Sequence, residues 1–83
     1  MKEIVRVVSI AAGSVRVGDV LTIGGCPHLV VDVQQVAGNT RRRIVLDDGN
    51  SYVAANLRLI EVTRSYANAR EVAEDTRARF LRS

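Results

Sequence analysis

The chain has 83 residues, a formal charge of +3, one cysteine and no tryptophan. That leaves room for one small domain and excludes an internal disulfide, as befits a reducing compartment such as the cytoplasm. No stretch approaches the roughly 20 apolar residues of a membrane-spanning helix, and the apolar run at 4–12 is broken by Arg6 and too rich in valine for a secretory signal.

Turn signals recur at short intervals: Gly13-Ser14, Gly18-Asp19, Gly24-Gly25, Gly38-Asn39 and Asp48-Gly49-Asn50. Between them lie short runs rich in β-branched residues, at 4–10, 20–23, 28–36, 40–46, 51–54 and 58–63. Such runs suit pleated, half-buried surfaces, and their spacing predicts a small barrel or sandwich. Alternation assigns the inward faces. In the third run Leu29, Val31 and Val33 are expected in the core; in the fourth, Ile44 and Leu46; in the last, Ile60 and Val62. Leu57 and Leu59 fall out of phase with that last pair, which predicts a bulge or a 3₁₀ turn near residues 55–57. Asp47-Asp48-Gly49-Asn50 and Gly24-Gly25 both predict tight hairpins. From Ser65, an expected N-cap, the period changes. Tyr66, Ala69, Ala73, Thr76 and Phe80 recur at three- and four-residue steps with Val72 beside them, the pattern of an amphipathic helix. Arg70–Glu74 and Asp75–Arg79 stand at i,i+4.

The stretch 15–62 resembles the SH3-like (KOW-type) N-terminal domain of elongation factor P. The resemblance is carried by Val15-Arg16-Val17-Gly18-Asp19-Val20-Leu21 and by Ile23-Gly24-Gly25-Cys26-Pro27-His28-Leu29-Val30-Val31-Asp32-Val33. Short uncharacterised proteins of actinobacteria and their phages look similar, through the same opening and a Asp-Asp-Gly hairpin. The family's modified basic residue at a hairpin tip has no counterpart, since residues 37–40 contain no lysine. A role in peptidyl transfer is therefore not implied. The expected fold is mainly β: a small five- to six-stranded SH3-like barrel over residues 1–64, with one α-helix over 65–83 packed on the barrel or on a partner.

Eleven of the twelve basic residues are arginine. Arginine's planar fork suits phosphate, but Arg, Val, Ala, Gly and Asp are abundant together, as in a GC-rich genome. Arg41, Arg42 and Arg43 are the densest basic run. The pleat turns Arg42 to the side of Ile44 and leaves Arg41 and Arg43 outward. These residues, with Arg58 and Arg64 near the last strand, are candidate phosphate contacts, and Tyr52 a candidate base-stacking surface. The same arginines serve equally as charges that guard a strand edge. On the helix, Tyr66, Val72, Ala73 and Phe80 are candidate partner contacts.

Other constellations carry less. Cys26 and His28 are two ligands where zinc needs three or four. Asp47, Asp48 and Asp32 form a carboxylate group in turn-forming sequence. Neither predicts a catalytic site, a metal or a cofactor. The expectation is a non-enzymatic binding module of bacterial or phage origin that contacts nucleic acid, the alternative being a protein-interaction module or homo-oligomer built on the helix or an open strand edge. Neither a membrane nor a small-molecule substrate is expected as a partner.

Overall fold

A computed structural model describes residues 3–36 and 38–81, without the side chains of residues 80 and 81. The predicted contact at Phe80 therefore lies outside the described side chains. Six strands form: β1 (Ile4–Ala11), β2 (Val20–Ile23), β3 (Cys26–Val36), β4 (Arg41–Leu46), β5 (Ser51–Ala55) and β6 (Leu59–Tyr66). A 3₁₀ turn at Ala12–Ser14 follows β1, and helix α1 (Ala69–Leu81) follows β6. The strands make one antiparallel sheet in the order β1-β6-β2-β3-β4-β5, curled into a small barrel-like globule. The mainly β class with one C-terminal helix is as expected.

The hairpins follow their turn chemistry. Gly24 and Gly25 both take positive φ, at 58° and 81°, the conformation a two-residue loop between twisted strands requires. Gly49 at φ 86° closes the β4–β5 turn, where the Asp48 carboxylate accepts the Asn50 backbone N–H. The predicted break before the last strand is a single turn, closed by Arg58 N–H on the Ala55 carbonyl. The 3₁₀ turn lies elsewhere, after β1, and its backbone meets that break. Ala12 N–H donates to the Arg58 carbonyl at 2.8 Å and Gly13 N–H to the Asn56 carbonyl at 2.9 Å.

The core consists of Ile10, Val15, Leu21, Val30, Ile44, Leu46 and Val62, with Val8, Val33, Tyr52 and Ile60 packed against it. Ile44, Leu46, Ile60 and Val62 face inward as alternation predicts. The third strand departs from prediction. Val30 is fully buried, whereas Leu29 and Val31 are 43% and 45% exposed. Pairing runs Val30↔Leu46 and then Asp32↔Val45, so Val31 is an extra residue on β3. That bulge reverses the phase: Leu29 and Val31 face out, and Val33 alone of the predicted trio packs inward.

The strand-to-helix boundary also moves. β6 continues through Tyr66, which pairs with Ile4, so Ser65 is a strand residue. The N-cap is Asn68, whose Oδ1 accepts Glu71 N–H at 3.0 Å, while Glu71 Oε1 reaches back to Ala67 N–H. The helix turns Val72, Asp75, Thr76 and Arg79 toward the barrel and leaves Ala69 and Ala73 exposed. The buried stripe thus keeps helical spacing but has a carboxylate at its centre. Both predicted i,i+4 pairs are present, Arg70–Glu74 at 3.2 Å and Arg79–Asp75 at 3.7 Å.

Candidate nucleic-acid interface

The predicted arginines separate into three environments. Arg41 and Arg43 project from the outward face of β4, both exposed. On that face Arg43 stands between Gln34 and Val53, and Arg41 between Val36 and Ala55. Arg58 is exposed in the turn that follows Ala55. Arg42 points the other way, half-buried beside Gln35 and Ala54.

Two loops bring Arg41 and Arg58 to one end of the barrel. Asn56 N–H donates to the Thr40 carbonyl at 2.9 Å, and Asn56 Nδ2 to the Asn39 carbonyl at 2.8 Å. Asn39 itself takes positive φ, at 72°, which its short polar side chain tolerates. The segments 38–44 and 53–60, which make this end, hold four arginines and no carboxylate. The far end of β4 is the reverse. There Asp47 and Asp48 flank the turn, with His28 Nδ1 3.7 Å and 3.4 Å from their oxygens. The two hydrogen bonds from Asn50 hold the Asp48 carboxyl below its ordinary range. These three side chains have ligand atoms close enough to share a cation, but Asp48 is already engaged by its turn. Cys26 is exposed in the neighbouring hairpin, and the Asp32 carboxylate accepts from Val33 N–H and the Gln34 amide on its own strand. Of the two constellations considered in the sequence, neither Cys26–His28 nor Asp47–Asp48–Asp32 forms as a group, and the structure instead gathers His28 with Asp47 and Asp48.

No protein-family model matches the chain, and no curated protein or solved structure matches it.

Two predicted contacts fail on geometry. Tyr52 pairs with Ile44 across β4–β5 and packs its ring on the core, so it faces away from Arg41 and Arg43 and offers them no stacking surface. Arg64 is 4% exposed. Its Nε and Nη2 donate to the two oxygens of Asp19, at 2.8 and 2.7 Å. Nη2 also reaches the Ser14 carbonyl at 3.1 Å, and Nη1 lies 3.0 and 3.2 Å from the Asp75 oxygens. A guanidinium with this many acceptors around it has no capacity left for phosphate.

This buried cluster was missed by sequence reasoning, and it fastens four parts of the fold together. Asp19, 2% exposed, belongs to the loop before β2 and also accepts Arg16 N–H at 3.0 Å. Ser14 belongs to the 3₁₀ turn, Arg64 to β6 and Asp75 to α1. The Tyr66 hydroxyl donates a short hydrogen bond to Asp75. Burial opposes the charge on Asp75, but the Tyr66 hydroxyl and the guanidinium groups of Arg64, Arg16 and Arg79 outweigh it, so its carboxyl is held below the usual range. Burial likewise works against the Arg64 cation, and Asp19 with Asp75 more than restores it. The Tyr66 phenol is pushed up, by burial first and then by Asp75. Tyr66 is therefore a buried strand residue rather than an exposed helical contact. Val72, half-buried, is turned toward the barrel, which leaves Ala73 as the exposed member of the predicted partner set among the described side chains.

Parity was the available signal. Ile60, Val62, Arg64 and Tyr66 share one face of β6, so an arginine in phase with the core was legible as an inward one.

Proposed function

We propose that the chain is a small binding module whose basic end contacts the phosphate backbone of nucleic acid through Arg41, Arg43 and Arg58. The reading rests on one observation: segments 38–44 and 53–60, tied together by Asn56, expose Arg41, Arg43 and Arg58 and contain no carboxylate. Exposed guanidinium groups with no ion-pair partner among the described residues favour an anionic polymer, and such contacts are largely sequence-independent. With Arg64 and Tyr52 turned inward, neither enters the interface, and single strands gain no aromatic platform there.

The test is binding of a labelled duplex as salt is varied. Three phosphate contacts give a slope of roughly −2.7 in log affinity against log salt, from about 0.9 per contact. Arg41→Glu with Arg43→Glu should abolish the interaction. A salt-independent affinity, or a double variant that binds as well as the parent, refutes the proposal.

A second reading has its own support in β1, which ends the strand order and carries Val5 and Val7 at 57% and 64% exposure. An open edge with apolar neighbours favours self-association by strand pairing. Size-exclusion chromatography of Val7→Lys against the parent tests it; an unchanged elution volume speaks against the edge. No helix among the described residues is long and apolar enough to cross a membrane.

A further inference from the structure

A second feature of the same barrel end points inward, on residues separate from the outward arginines. A groove of about 620 Å³ opens between the end of β1, the 3₁₀ turn, Arg42 of β4, the β5–β6 turn and Arg79 of α1. Three buried side-chain polar atoms among the described residues have no hydrogen-bond partner: Arg42 Nε, Asn56 Oδ1 and Arg79 Nε. All three belong to residues lining this groove. Buried polar groups without hydrogen-bond partners are uncommon in folded proteins, and three around one groove point to a ligand that completes them. The missing partner must accept from two guanidinium groups and donate to an amide oxygen.

The charge selects among anions. Arg79 Nε lies 3.7 Å from the Asp75 carboxylate, which offsets part of its charge, whereas Arg42 forms no ion pair among the described residues. The groove therefore suits a monoanion better than a doubly charged phosphate. Its rim is aliphatic: Leu57 and Leu59 are 89% and 69% exposed. Ser9, Ile10 and Ala11 of β1 run along it, and β1 is an end strand of the sheet. A carboxylate, an adjacent N–H and an aliphatic body extending along a strand edge together describe the end of a polypeptide. We infer that this groove captures the C-terminal residue of a partner protein. Its carboxylate sits on Arg42 and Arg79, its last backbone N–H donates to Asn56 Oδ1, and its aliphatic side chain covers Leu57 and Leu59. Strand addition and terminal-carboxylate capture are both established modes of peptide recognition.

The experiment titrates the full chain, by amide NMR, with an acetylated hexapeptide of alternating threonine and valine that ends in leucine with a free carboxylate. Saturable shifts at Gly13, Asn56 and Leu57 are expected. C-terminal amidation of the peptide should weaken binding at least tenfold, as should Arg42→Met, which keeps the aliphatic stem. Leu57→Ser, at a position too exposed to affect folding, should weaken it severalfold and serves if the Arg42 variant does not fold. Equal affinity for acid and amide peptides, or no saturable shift, overturns the inference. N-acetylleucine binding as tightly as the hexapeptide overturns the assignment to a chain end. Loss of duplex binding in the Arg41/Arg43 variant leaves all of these readouts untouched.

Discussion

Arg64 and the pair Arg41–Arg43 are the same residue type, each on a strand of one sheet, and the barrel uses them in opposite ways. Arg64 lies in phase with Ile60 and Val62, meets two carboxylates and a carbonyl, and has 4% of its surface in contact with solvent. Arg41 and Arg43 lie out of phase with Ile44, meet only Gln34, Val36, Val53 and Ala55 across the ladder, and stay exposed. The strand's period decides which side of the sheet a guanidinium occupies, and the carboxylates of distant segments decide what it does there. A net charge of +3 therefore says little until the paired cations are set aside. Arg64, Asp19 and Asp75 spend their charge on one another, and Arg41 to Arg43 at the start of β4 are the densest run among the cations that remain.

The comparison breaks first at Arg64. Arg64→Met leaves Asp19 buried without its counter-charge, and stranding one member of a buried pair costs about 3–5 kcal/mol. For a domain of this size that is a large share of a total stability of about 5–15 kcal/mol. Urea unfolding should show it as a lower midpoint with an unchanged slope. A loss under about 1 kcal/mol, no more than a surface change gives, would mean that the cluster is a by-product of packing rather than its support.

Asp75 gives the next largest effect, and it separates the helix from the barrel. Asp75→Asn keeps the shape and removes the charge that Arg64 faces; charge-assisted hydrogen bonds contribute about 1.5–3 kcal/mol. Hydrogen exchange should rise across Ala69–Leu81, while β3 and β4 stay protected. The same group predicts a pH dependence. Its folded carboxyl titrates below the ordinary value of 3.8, so the unfolded chain binds the proton first as pH falls. The stabilisation is complete above that value and disappears as pH drops through the lower, folded one. Acid should release α1 below about pH 4, and the Asn variant should lose that part of the acid sensitivity. An unchanged acid profile in the variant would place the sensitivity elsewhere.

These two residues also mark where the sequence was readable and where it was not. Local rules were sufficient for the strands and hairpins: β2 falls at 20–23 as expected, Gly24-Gly25 and Asp48-Gly49 turn the chain, and Ile44 and Leu46 point inward. Each of those depends on a few neighbouring side chains. The bulge at Val31 does not, because it arises from how β3 must bend to pair with β2 on one side and β4 on the other. The Arg64 cluster depends on partners 45 and 11 positions away, brought together only when the 3₁₀ turn and the helix meet at the end of β6. The groove lined by Arg42 and Arg79 is hidden for the same reason: its two cations come from β4 and α1, and nothing in their spacing joins them.

The smallest expected effect on stability sharpens the contrast most. Arg41→Glu with Arg43→Glu reverses two charges, yet both side chains stand in water with no ion pair to lose among the described residues. Surface changes of this kind usually stay within about 0.5 kcal/mol each. Thermal unfolding of the double variant should therefore match the parent, in the preparation whose duplex binding has vanished. A variant that binds nothing because it has unfolded would look identical in a binding assay alone, so the two measurements belong together. Destabilisation comparable to that of Arg64→Met would mean that the outward arginines support the sheet. The division between a cation that holds the fold and cations left for a partner would then fail.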